Sequence, residues 1–291
     1  AQLEPELALV DQQREEMESE RDLTLRETAD ESTSAIFSTT LPGLHGMHRG
    51  AEAGTLLHEL LEWSFETGIN TTLTHHEQRR AYLEQRLSRP GWQDELNRID
   101  TWLCGFLATT FNLSDMDSLS LKDIATFQVE LEFLFPVSHV NTQEIDELCQ
   151  QYLLPGQVRP PLTPIELNGM LKGFIDLVFC HQGRYFVVDW KSNWLGEHDS
   201  DYQADNMTNE ILLKRYDVQY ALYLLALHRL LAYRKPDYDY ERDIGSALYF
   251  FLRGWQSDTQ GIFADKPDKA FIEKLNAVCL GRSLSTHQET A

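Results

Sequence analysis

The chain has 291 residues, 42 % of them apolar and 11 % aromatic, with 46 acidic residues against 25 Lys and Arg and a formal net charge of -21. This composition builds a sizeable globular core, and no apolar run reaches the roughly 20 residues that span a bilayer, so a membrane-embedded protein is excluded. The charge argues against a free-standing grip on nucleic acid, because affinity for a phosphate backbone comes mainly from Lys and Arg; if the chain handles DNA, something else delivers the strand.

The first residues, Ala1-Gln2-Leu3-Glu4, carry neither an initiator Met nor a secretory pattern, and the start reads as a cut inside a longer chain. Residues 1–40, rich in Glu, Asp, Ser and Thr, are expected to be an acidic linker without a packed core. Glycine and proline punctuate 41–54, after which 55–66 reads as an amphipathic helix. The globular domain is therefore placed at 41–280, with 281–291 as a tail. Residues 77–112 read as helical, interrupted at Pro90-Gly91, and 127–137 alternates like a strand. A proline-rich irregular stretch, 154–168, precedes two apolar β runs at 170–180 and 185–190 joined by His181-Gln182-Gly183-Arg184, a hairpin signal. A buried helix at 215–233, a strand at 245–252, a short strand near 261–263 and a helix at 269–280 follow. Strands interleaved with long helices indicate an α/β layered fold. The four cysteines, Cys104, Cys149, Cys180 and Cys279, are too scattered for a zinc or iron–sulfur site and fit a reducing, cytoplasmic setting.

If the hairpin turns on Gln182-Gly183, paired residues sum to 365 and Asp176 lies opposite Asp189, with Cβ atoms about 4.5–5.5 Å apart. Both sit in apolar strands, where water screens poorly. Two such anions call for a compensating charge, and a divalent cation that prefers oxygen, such as Mg²⁺, supplies it while reaching a substrate phosphate. Lys191 projects to the same face as Asp189 by strand periodicity. Next to two carboxylates it stays protonated, which favours stabilisation of transition-state charge over general-base work.

These residues, Gly173-Phe174-Ile175-Asp176 followed by Asp189-Trp190-Lys191-Ser192-Asn193-Trp194-Leu195-Gly196, resemble the PD-(D/E)xK nuclease superfamily and, within it, the nuclease domains of RecB-type helicase–nucleases, the beta subunits of exodeoxyribonuclease V. The likeness extends over roughly 41–280, through GTLLHELLE at 54–62, VELEF at 129–133 and RYDVQYALYLLALHR at 215–229. The resemblance implies a restriction-endonuclease-like fold, a mixed central sheet flanked by helices. It also implies a metal site of His58, Asp176, Asp189 and the backbone carbonyl of Trp190, a set whose imidazole lets Mn²⁺ substitute for Mg²⁺. Glu130 matches the family's glutamate, with Glu132 on the same face as the alternative; Gln219 and Tyr223, one helical turn apart, match its Gln-x-x-x-Tyr. The activity implied is Mg²⁺-dependent, sequence-nonspecific cleavage of DNA in double-strand-break repair and recombination. The partners implied are RecC- and RecD-like subunits, an upstream helicase domain of the same chain and a RecA-type recombinase. A module that docks such a recombinase, with cutting secondary, is the alternative.

Overall fold

The computed structural model describes residues 41–113 and 116–282. The expected linker at 1–40 and residues 283–291 of the expected tail lie outside the described residues. Helices α1 (Ala51–Thr67), α2 (Ile69–Thr74), α3 (His76–Arg86) and α4 (Leu96–Ala108) come first, followed by a two-stranded ladder of β1 (Thr110–Leu113) and β2 (Met116–Ser120). Strand β3 (Thr126–Asn141), helix α5 (Thr142–Tyr152), β4 (Glu166–His181) and β5 (Arg184–Lys191) come next. Helices α6 (Ala204–Leu213), α7 (Tyr216–Arg234) and α8 (Tyr240–Asp243), strands β6 (Ile244–Phe251) and β7 (Ile262–Asp265), and helix α9 (Lys269–Cys279) complete the order. The central sheet runs β3-β4-β5-β6-β7, with β5 and β6 parallel and the other neighbours antiparallel. This is the mixed sheet flanked by helices that the sequence implies.

Strand alternation builds the two faces. Leu177, Phe179, Val188, Trp190, Leu248 and Phe250 pack into one apolar layer with Leu57 and Leu61 of α1 and Phe106 of α4. Val178, Val187, Tyr249 and Phe251 enter the opposite layer with Tyr220 and Leu224 of α7, Ile211 of α6 and Leu275 of α9. Fully burying a side chain of this size contributes roughly 1.5–3 kcal/mol, so both layers are needed to hold the sheet. Among the described residues, no helix is long and apolar enough to cross a membrane.

One expected element is corrected, and helix α5 is an addition. The helical stretch predicted to reach 112 ends at Ala108, because Phe111 and Leu113 alternate with exposed neighbours and pair with β2. Helix α5, which periodicity did not reveal, is opened by Asn141, whose side chain accepts the Gln143 N–H at 2.9 Å. The irregular stretch after α5 is pinned from within. Arg159 donates to the carbonyls of Leu153 and Leu154 at 2.7 and 2.8 Å and pairs with Asp217 of α7 at 2.7 Å. Arg215, in a left-handed conformation at the start of α7, pairs with Asp217 at 3.0 Å and with Asp146 of α5 at 2.8 Å. The network fixes where α7 begins, and α7 carries Gln219 and Tyr223.

Candidate active site

The hairpin between β4 and β5 turns on Gln182 and Gly183, both left-handed with φ of 49° and 80°, the conformation a two-residue type I′ turn requires. Its register is the expected one, running from His181↔Arg184 to Leu177↔Val188. There the ladder stops, one position short of Asp176 and Asp189. Strand β4 continues beside β3, with Ile175 opposite Leu131, while β5 continues beside β6, with Asp189, Trp190 and Lys191 opposite Tyr249, Phe250 and Phe251. The two strands fork, and Asp176 and Asp189 stand at the crotch. The faces of β4 exchange at the same place: Leu177 packs on the α1 layer and Ile175, two residues earlier, on the α7 layer. The directly opposed carboxylate pair expected from the register is therefore modified. Asp176 Oδ2 instead accepts the backbone N–H of Trp190 at 2.7 Å. In an extended strand the N–H and C=O of one residue share an edge, so the Trp190 carbonyl is directed toward the same gap. Its indole lies on the other side, packed on Phe106 and Phe250.

Each carboxylate has its own cationic partner. His58 on α1 places Nδ1 3.5 Å from Asp176 Oδ2. Lys191 Nζ lies 2.7 Å from Asp189 Oδ1, and both side chains are buried, at 7 % and 5 % exposure. Gln219 Oε1 accepts from Lys191 at 3.0 Å and from the Tyr249 hydroxyl at 2.8 Å, while Gln219 Nε2 donates to the Tyr223 hydroxyl at 2.9 Å. The ammonium, which can only donate, sets the amide oxygen toward itself, and the Tyr223 and Tyr249 hydroxyls hold the amide there. The Tyr216 ring lies 3.7 Å from Nζ, a cation–π contact strengthened by burial.

Glu130 and Glu132 separate clearly. Glu132 pairs with Lys172 at 3.1 Å. Glu130 lies between the pairs Val129↔Leu177 and Leu131↔Ile175, so the register sets it across from Asp176, and its φ of 46° locally breaks the strand geometry. Burial, with the charges of Asp176 and Glu62, raises its pKa. Sequence reasoning missed three neighbours. Glu62 follows His58 by one helical turn and was open to the spacing argument; Tyr216 reaches Lys191 only through the packing of α7 on the sheet, and Tyr249 only through the pairing of β6 with β5.

The electrostatics show an excess of negative charge. Burial raises Asp189, and Asp176 beside it adds to the shift, against the opposing pull of Lys191. Burial also pushes Asp176 upward, but His58, the Trp190 N–H and Lys191 outweigh it and hold the carboxyl below the usual range. For His58 the order is mirrored: burial disfavours the imidazolium, and the charge of Asp176, with that of Asp189, more than restores it. Among the described residues, no three His, Cys, Asp or Glu side chains already converge as a cage. Asp176 and Asp189 supply two carboxylates at the fork. With His58 and the Trp190 carbonyl they make a set of mostly hard oxygen donors and one imidazole, which fits Mg²⁺ or, better for the imidazole, Mn²⁺.

The profile of the PD-(D/E)XK nuclease superfamily matches residues 39–285. Over 245 residues the chain is 37 % identical to the RecBCD enzyme subunit RecB of Escherichia coli (strain K12), an alignment covering 82 % of this chain and 20 % of that protein. The RecBCD enzyme subunit RecB of Haemophilus influenzae is 31 % identical over 258 residues, 87 % of this chain and 20 % of that protein. The chain thus spans about a fifth of the length of the curated relatives it matches.

Proposed function

Because the chain belongs to the PD-(D/E)XK nuclease superfamily, a family of metal-dependent nucleases, we propose that the fork between β4 and β5 hydrolyses DNA phosphodiesters with Mg²⁺ and without sequence preference. The observation that carries this reading is the meeting of Asp176, Asp189 and Lys191 at the point where two apolar strands part. His58, Asp176, Asp189 and the Trp190 carbonyl hold the cation. When bound, it supplies Lewis-acid stabilisation of the phosphate and of the leaving oxygen.

The chain's own residues do the rest. Lys191 donates from Nζ to a non-bridging phosphate oxygen as negative charge grows there, an interaction stronger in the transition state than in the ground state. Gln219, locked by Tyr223 and Tyr249, and the ring of Tyr216 keep the ammonium in place between turnovers. Glu130, with its raised pKa, stands across from Asp176 and takes a proton from the attacking water.

The relatives are subunits of RecBCD enzymes, and we extend the reading to a RecB-type helicase–nuclease in cytoplasmic double-strand-break repair and recombination. In that setting a helicase part of the same polypeptide and RecC- and RecD-like subunits deliver the strand that a chain of net charge -21 does not capture well alone. A RecA-type recombinase is a further partner on this reading. The test is cleavage of two end-labelled single-stranded oligonucleotides of unrelated sequence. With Mg²⁺ both are expected to be cut at rates within about threefold of each other, and with chelator neither. Cutting at one sequence alone, or undiminished cutting in chelator, contradicts the proposal.

A further inference from the structure

The candidate site leaves one exposed cation beside it unaccounted for. Arg49, in the segment entering α1, lies with its guanidinium 3.6 Å from the ring centroid of Trp194, in the segment leaving β5. Both side chains are exposed, Trp194 at 38 %. Among the described residues Arg49 has no carboxylate within ion-pair distance, so its donors remain open. Trp194 follows Lys191 by three residues of non-helical chain, which keeps their Cα atoms within about 11 Å of each other.

The pair is held in place rather than accidental. Arg253, at 2 % exposure, donates to the carbonyls of Ser192 at 2.9 Å and His48 at 2.6 Å, and also to Leu44. Among the described residues this buried guanidinium has no carboxylate partner; carbonyls alone satisfy it, and burial pulls it down to about 10. One buried cation therefore ties down both segments that carry the stack, at the residue before Arg49 and two residues before Trp194.

Resting on the proposed nuclease reading, we propose that Arg49 and Trp194 form the seat for single-stranded nucleic acid next to the scissile phosphate. Arg49 takes a backbone phosphate through its free donors, and Trp194 stacks a base on its open face. Arg253 is the positioning residue that sets the spacing between this seat and Lys191.

The test is binding of a fluorescent single-stranded oligonucleotide by the full chain, in chelator so that nothing is cut, across a range of salt. Arg49→Ala and Trp194→Ala are each expected to weaken binding about tenfold. Arg49→Ala should also flatten the slope of log affinity against log salt by about 0.7, one single-strand phosphate contact, whereas Trp194→Ala leaves the slope unchanged. Arg49→Lys should keep the slope, and Trp194→Phe most of the affinity. Wild-type affinity in both alanine variants overturns the proposal, as does weakening accompanied by a lowered unfolding temperature and an unchanged slope for Arg49→Ala. Mg²⁺-dependent cutting by the wild type is scored separately: a chain that binds through this seat without cutting would refute the nuclease reading and leave the seat standing.

Discussion

Lys191→Ala is expected to lower single-stranded DNA cleavage by at least about a hundredfold at saturating Mg²⁺, the size of losing one preorganised donor to a developing oxyanion. Binding should change far less, because the ammonium is buried against Asp189, Gln219 and Tyr216 and meets only the reacting phosphate. Asp189→Ala should abolish cutting as well, by removing a cation ligand together with the partner that orients Lys191. The fold should survive both changes. With Lys191 gone, Asp189, whose pKa burial already raises, is able to take up a proton rather than remain as an unpaired buried anion. Lys191→Arg is not expected to rescue, since a delocalised planar guanidinium does not reproduce the compact point charge of an ammonium. Single-turnover cleavage with circular dichroism on the same samples checks this. Either alanine variant retaining more than a few per cent of wild-type rate, with its spectrum intact, would remove that residue from the mechanism.

The second large effect concerns stability. Asp217 is fully buried and is the carboxylate that holds Arg159, itself at 1 % exposure, along with Arg215. Asp217→Ala leaves Arg159 buried without its counter-charge, a loss that costs about 3–5 kcal/mol. For a domain of this size that corresponds to an unfolding temperature lower by about 10 °C. Because the network sets the first turn of α7, the surviving folded protein should also position Gln219 less well and cut more slowly. Urea denaturation of wild type, Asp217→Asn and Asp217→Ala gives the series. A change under about 1 kcal/mol for Asp217→Ala would mean that the loop finds another partner for Arg159.

Much of the site was legible because its geometry is local. A Gln-Gly turn between two apolar runs fixes the hairpin register, and register with period-two alternation places Asp189 and Lys191 on one face. The spacing of Gln219 and Tyr223 needs only a helix. What the sequence did not reveal depends on departures from regularity and on distant contacts. The β4–β5 ladder ends one pair early, and the left-handed Glu130 and the exchange of faces at Ile175 have no periodic signature. Tyr249 reaches Gln219 only because β6 lies parallel to β5, a pairing made by a crossover of three helices. The expected repulsion between opposed aspartates is likewise relieved, because His58 arrives from α1 beside Asp176 and Lys191 folds back on Asp189.

The central claim is that Asp176 and Asp189 jointly hold one divalent cation at the fork. The most direct measurement is thermal unfolding of wild type, Asp176→Asn and Asp189→Asn in chelator and in excess Mg²⁺ or Mn²⁺. A ligand at about a hundred times its dissociation constant stabilises by about 2.7 kcal/mol, so the wild type should unfold about 5 °C higher with metal than without. Both variants, which keep the shape of the side chain and remove one charge, should lose most of that rise whatever their stability in chelator. An equal rise in all three proteins, or none in the wild type, would mean that the two carboxylates do not share a cation and that the fork is not the metal centre.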